Sequence, residues 1–166
     1  MTFGSLQPLN TNLEINMISD KYNQFCDNVA LNTGAAGSYL IGDQIDLKSG
    51  VDLGHVEEAY LVIKAKTTIT AGASGTLGFA LASDDSAAIN ASTGSRHLLT
   101  PVKAVGAGIP AGTILFAGKL PFGGDVPYER FLGILQITGV AAITAGSVDA
   151  FLVKDLAAWR AYEAVV

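Results

Sequence analysis

The chain has one cysteine, one tryptophan and only 15% charged residues over 166 positions. A single thiol, Cys26, excludes an intramolecular disulfide and any zinc cage built on several cysteines. Ten basic residues stand against fifteen acidic ones, a net charge of −5, and no cluster of Lys or Arg gathers anywhere. A nucleic-acid-binding role therefore lacks its electrostatic footprint. The opening residues MTFGSLQPLN show neither a basic start nor an apolar stretch, so no secretory signal is expected there. Without secretion, the sequon Asn90-Ala91-Ser92 reads as chance.

Reactive groups are scarce as well. His55 and His97 are the two imidazoles, with no His-x-x-x-His spacing and no cysteine nearby, so no zinc pattern forms. Gly72-Ala73-Ser74-Gly75 does not make the G-x-S-x-G elbow of a serine hydrolase. The run from Gly112 to Lys119 is one residue too long for a phosphate loop, and Leu120 follows where Ser or Thr is needed. Gly106-Ala107-Gly108-Ile109-Pro110 places a proline where a dinucleotide motif would open its helix. Glu57 and Glu58, as strand neighbours, point to opposite faces and cannot jointly flank a glycosidic bond. Asp84-Asp85 lacks the further spaced oxygens of a calcium loop and reads as a solvated turn. The expectation is a chain that is not an enzyme and needs no metal and no cofactor.

What the sequence does have is β patterning. Residues 129–156, ERFLGILQITGVAAITAGSVDAFLVKDL, are nearly uncharged inside, yet Gln136, Thr138, Thr144, Ser147 and glycines interrupt them. A membrane helix needs about 20 consecutive, predominantly apolar residues. β-branched residues and period-2 alternation instead predict two strands joined by a turn, a hairpin. Further strands are expected near 38–47, 58–69, 76–83, 97–102 and 113–120. Leu61, Ile63, Phe79, Leu81, Leu115, Leu132, Ile134, Leu152 and Val153 are the expected core. Glu58–Leu81 and Glu129–Val153 echo one another as strand, Ile-Thr-Ala-Gly, strand, which reads as the same hairpin used twice.

Nineteen glycines and short, regularly spaced strands predict an all-β chain, a sandwich, jelly roll or barrel, with a jelly-roll-like β-sandwich over 34–156 as the first expectation. Residues 1–33 are polar and asparagine-rich and read as an extended N-terminal arm, or equally as a strand or loop wrapped on its own domain. Residues 157–166 read as a short C-terminal tail or helix. Phe3, Leu6, Tyr22 and Phe25 are spaced like anchors on a strap, and Trp159 and Tyr162 load the other end. These six residues are the candidate subunit or partner contacts, because aromatics are enriched where interfaces bury surface.

Three stretches, in this order, resemble a known family. They are LGFALASDDSAAINASTGSRHLL, IPAGTILFAGKLPFGGDVPYERFLGILQITG and TAGSVDAFLVKDL. Together they resemble the cement, or decoration, proteins of tailed bacteriophage capsids, of the β-sandwich type found in podophages. The similarity covers roughly 36–156 and rests on strand order rather than on a chemical motif. It implies a structural protein of the virion, on the outer capsid surface, that clamps neighbouring major capsid proteins. Its partners would be the major capsid protein and itself, as a homotrimer in preference to a dimer, with no nucleic acid and no membrane. A carbohydrate- or receptor-binding sandwich of a phage fibre is the alternative reading.

Overall fold

A computed structural model describes residues 21–48, 58–121 and 126–156. After a single 3-10 turn at Lys21–Asn23 come β1 (Gln24–Ala30), β2 (Gly37–Asp46), β3 (Tyr60–Ala65), β4 (Thr70–Ala71) and β5 (Thr76–Asp84). Then follow β6 (Ser95–Leu99), β7 (Lys103–Ala104), β8 (Ile114–Lys119), β9 (Phe131–Gly139), β10 (Ile143–Ala145) and β11 (Ser147–Val153). One sheet has four strands in the order β1-β11-β3-β8. A second has five, in the order β2-β9-β5-β6 with β7 also on β5, and β4 pairs with β10. Every pairing between these strands is antiparallel. The architecture is all-β and sandwich-like, as the alternation predicts.

The two sheets share one core. Leu61, Ile63, Leu115 and Ala150 of the four-stranded sheet pack with Phe79, Leu81, Leu132 and Ile134 of the five-stranded one. Burying one such Leu, Ile or Phe side chain is worth about 1.5–3 kcal/mol. The outward faces are covered too, which explains why β9 is apolar on both sides. Ile89, from the loop after β5, closes over Ala80, Ala82 and Leu135. Val62 and Phe151 form a third cluster with Val153 and Leu156. Among the described residues no helix is long and apolar enough to cross a membrane.

Three expectations change. First, 129–156 is not a hairpin: β9 belongs to the five-stranded sheet and β11 to the four-stranded one. The echoing stretch behaves alike, with β3 and β5 in different sheets. Each is a crossover, and the two meet where β4 pairs with β10. A strand apolar on both faces carries no period that names its neighbour, so sequence adjacency was mistaken for pairing.

Second, part of the stretch expected as an arm over 1–33 belongs to the sandwich. Gln24–Ala30 is an edge strand of the sandwich, paired with β11. Phe25 is 1% exposed and Leu31 5%, both in the chain's own core. Phe25 is therefore no surface anchor. Its strand looks polar because Asp27 and Asn28 occupy a bulge between Cys26 and Val29, and bulged residues escape the period-2 rule. Third, Leu152 and Val153 are only half-buried. Val148, Ala150 and Phe151 take the buried places on β11.

The pairings run from the chain's ends inward: β1 with β11, β2 with β9, β3 with β8, β5 with β6. Gly42 permits a close approach between the sheets at β1 and β2. It sits at φ +69, and a Cβ there would lie 2.1 Å from the Phe25 carbonyl oxygen. Only glycine fits such a position.

Candidate functional site

At one end of the sandwich both crossovers and the loop before β8 are stitched together by the main chain. Ile69 and Ile109 exchange backbone hydrogen bonds of 2.8 and 2.9 Å. Gly72 N–H donates to Ala142 O at 3.0 Å, and Val105 N–H to Gly75 O at 2.9 Å. Ile69 and Ile143, both fully buried, plug the inside of this end. Outside it, Thr70, Thr144, Ala111 and Val140 face solvent or nearly so. None of the three segments carries a charge: 67–83, 104–118 and 131–148 contain no Asp, Glu, Lys or Arg. In a chain with fifteen acids and ten bases, that leaves the turns of this end uncharged, with Lys66 and Lys103 exposed at their border.

Its apex is Val140, 75% exposed at φ 64. Ala141 N–H donates to Gly139 O at 2.8 Å across it, which closes a three-residue γ-turn. A β-branched residue in the left-handed region is strained, and its apolar side chain is spent on solvent. The sequence reading missed this end. The signal that finds it is the coincidence of three charge-free runs, which becomes visible only when the topology brings them together.

At the other end of β5 lies the most chemically loaded cluster. Ser83 Oγ is 2.7 Å from His97 Nε2 on β6 and 3.2 Å from Glu129 Oε2, and it accepts the Glu129 N–H at 3.0 Å. The Tyr128 ring stacks on the imidazole with centroids 4.1 Å apart, and its hydroxyl donates to Pro121 O. Ser83 is fully buried. Serine stands between histidine and carboxylate here, whereas a hydrolytic triad puts the histidine in the middle. Burial pushes the His97 imidazole below its ordinary pKa, against the pull of Glu129.

Of the acidic residues singled out in the sequence, Asp84 and Glu58 have structural partners. Asp84 accepts the N–H groups of Ser86 and Asn90 at 3.1 Å each, and these bonds hold its carboxyl below the ordinary range. That fixes the loop which carries Ile89. Glu58 binds Lys119 and the Tyr60 hydroxyl on the outer face of the four-stranded sheet. Arg130 grips Asp46 with two 3.0 Å bonds, chiefly responsible for holding that carboxyl well below the usual range. Among the described residues no group of three His, Cys, Asp or Glu side chains is placed to hold a metal ion.

Of the six candidate contacts, Tyr22 is 83% exposed and Phe25 is in the core. Phe3, Leu6, Trp159 and Tyr162 lie outside the described residues, as do His55, Glu57 and the expected C-terminal tail or helix. No protein-family model matches the chain, and no curated protein matches it in sequence.

Proposed function

We propose that this chain is a capsid cement protein with a jelly-roll fold, seated on the outer surface of a bacteriophage head. It binds neighbouring major capsid proteins and stabilises the shell, with no catalytic step and no cofactor. The observation that carries this reading is the neutral end built from the two crossovers and the loop before β8. Interface cores are depleted in charge, because an unpaired charge loses its hydration on contact. A rigid end whose turns are fixed by main-chain bonds loses little conformational entropy on docking. Repetition over a lattice then turns modest contacts into firm attachment.

The pairing of strands from both ends inward supports the jelly-roll reading, since a long antiparallel ribbon wound into two sheets gives that order. Exposed Tyr22 and the undescribed ends supply further contacts in this proposal, and self-association as a homotrimer would place copies on a symmetry axis. Co-sedimentation with purified capsids lacking the protein is the test. Saturable binding that protects the shell against heat or chelation supports the reading. Failure to bind, together with retention on a glycan array, would replace it with the fibre-module alternative.

A further inference from the structure

We propose that Ser83, His97 and Glu129 form a pH-gated latch, closed near neutrality and opened by mild acid, that holds β6 and segment 126–130 onto β5. The proposal does not depend on the capsid reading.

Ser83 Oγ joins three pieces of chain. It belongs to β5, its 2.7 Å partner His97 to β6, and Glu129 approaches from the stretch before β9 through both its N–H and its carboxylate. One hydroxyl has one proton and two acceptor sites. All three contacts are satisfied when Glu129 N–H and His97 Nε2–H donate to Oγ while the Ser83 hydroxyl donates to Glu129 Oε2. Neutral His97, protonated on Nε2, therefore completes the set. Among the described residues β6 is an edge strand, with β5 its one strand partner, and segment 126–130 has no strand partner of its own.

A second proton on His97 creates a charge in this half-buried place. Other charged groups on the surrounding elements are engaged elsewhere. Arg96 on β6 reaches Ser38 Oγ and Ala91 O, Asp84 on β5 is bound by loop amides, and Arg130 is held by Asp46. Glu129 and the Tyr128 face favour the imidazolium, but burial outweighs them and lowers the pKa. A lowered folded-state pKa means the open state takes the proton first. Stability from this group is full above the ordinary histidine range and is lost as pH falls through it toward the folded value. Edge strand and segment then open locally rather than with the whole sandwich.

The test is hydrogen exchange on the full chain at pH 7.5 and 5.0, corrected for intrinsic rates. Protection of 95–99 and 126–130 should fall severalfold more than that of β9, in the direction that a lowered folded-state pKa sets. His97→Gln keeps an N–H donor but cannot titrate, so it should abolish the differential. His55→Gln should preserve it. A uniform loss across β9, no loss at all, or a differential that survives in His97→Gln would overturn the latch. Should His97→Gln fail to fold, the His97 titration followed by NMR in the parent decides. Its midpoint must coincide with the opening of β6, and separate midpoints refute the proposal.

Discussion

The hydroxyls of Thr70 and Thr144 lie 2.8 Å apart, each from one of the two Ile-Thr-Ala-Gly stretches that echo in the sequence. The echo is thus a contact: two crossovers, passing between the sheets, pair with each other through β4 and β10. The strength and the exposed surface of that junction are open to direct measurement.

Gly146 should be the least replaceable glycine of the junction. It adopts φ +133, and a Cβ there would lie 2.9 Å from Ile69 Cα, a backbone atom that cannot swing aside. Gly146→Ala is expected to lower stability by about 1–3 kcal/mol. Gly106 also has positive φ, but with no atom within 4 Å of the added carbon. Gly106→Ala should carry only the backbone cost, about 1–2 kcal/mol. Equal losses in urea titrations of the two variants would show that the Ile69 contact is unimportant.

Val140 separates stability from binding. Replacing it with Asn, which tolerates the left-handed region, should leave the unfolding midpoint unchanged or raise it, by relief of about 1 kcal/mol. On the proposed function the same variant should decorate capsids less well, because the apex of the neutral end becomes polar. Parent-like decoration by Val140→Asn would exclude the apex as a contact.

Gln136 is fully buried on β9 and pairs with the Asn32 backbone as a strand would. Its side-chain oxygen accepts Asn32 N–H at 2.7 Å, and its amide donates to Asn32 O at 2.9 Å. It thereby pins the passage from β1 to β2. Gln136→Ala should cost about 1–3 kcal/mol by leaving polar groups without partners. Gln136→Glu should be worse at neutral pH, since a carboxylate faces the Asn32 carbonyl, and should recover as pH falls. Indifference to pH in chemical denaturation of this variant would contradict the geometry.

Deletion separates arm from strand. Removing 1–20 should leave the β spectrum by circular dichroism intact while weakening self-association or capsid binding, and Trp159→Ala should act in the same direction. Removing 1–33 also removes β1, with Phe25 and Leu31 from the core, and should abolish cooperative unfolding. A folded product of the longer deletion would show that β1 is dispensable.

Cys26 reports on the same strand. It is fully buried, and its pKa is pushed up to about 12, first by burial and then by the negative charges of Asp149 and Asp43. The thiolate is the reactive form, so a thiol reagent at pH 8 should label the native protein only as β1 opens, and completely in denaturant. Immediate labelling of the native chain would place Cys26 at the surface.

Much of the fold was legible because period-2 alternation is local. Tyr60–Ala65, Thr76–Asp84, Ile114–Lys119 and Ser147–Val153 all fall within the stretches expected from it, give or take a residue. Leu61, Ile63, Phe79, Leu81, Leu132 and Ile134 are buried as expected. β1 was hidden because its bulge and its polar Asp27 and Asn28 imitate an arm. The Ser83–His97–Glu129 cluster was equally hidden, since its members are far apart in sequence and none has a motif around it.

By itself the sequence determined that the chain folds into strands and which side chains want to leave water, because backbone preference and hydrophobic period act over a few neighbouring residues. It also set where charge is missing, residue by residue. Tertiary structure alone decided which strands are neighbours, since pairing is a choice among distant segments that local pattern leaves degenerate. That choice sent β9 and β11 to opposite sheets, placed the two Thr hydroxyls in contact, gathered three neutral runs at one end and set a half-buried histidine against a buried serine.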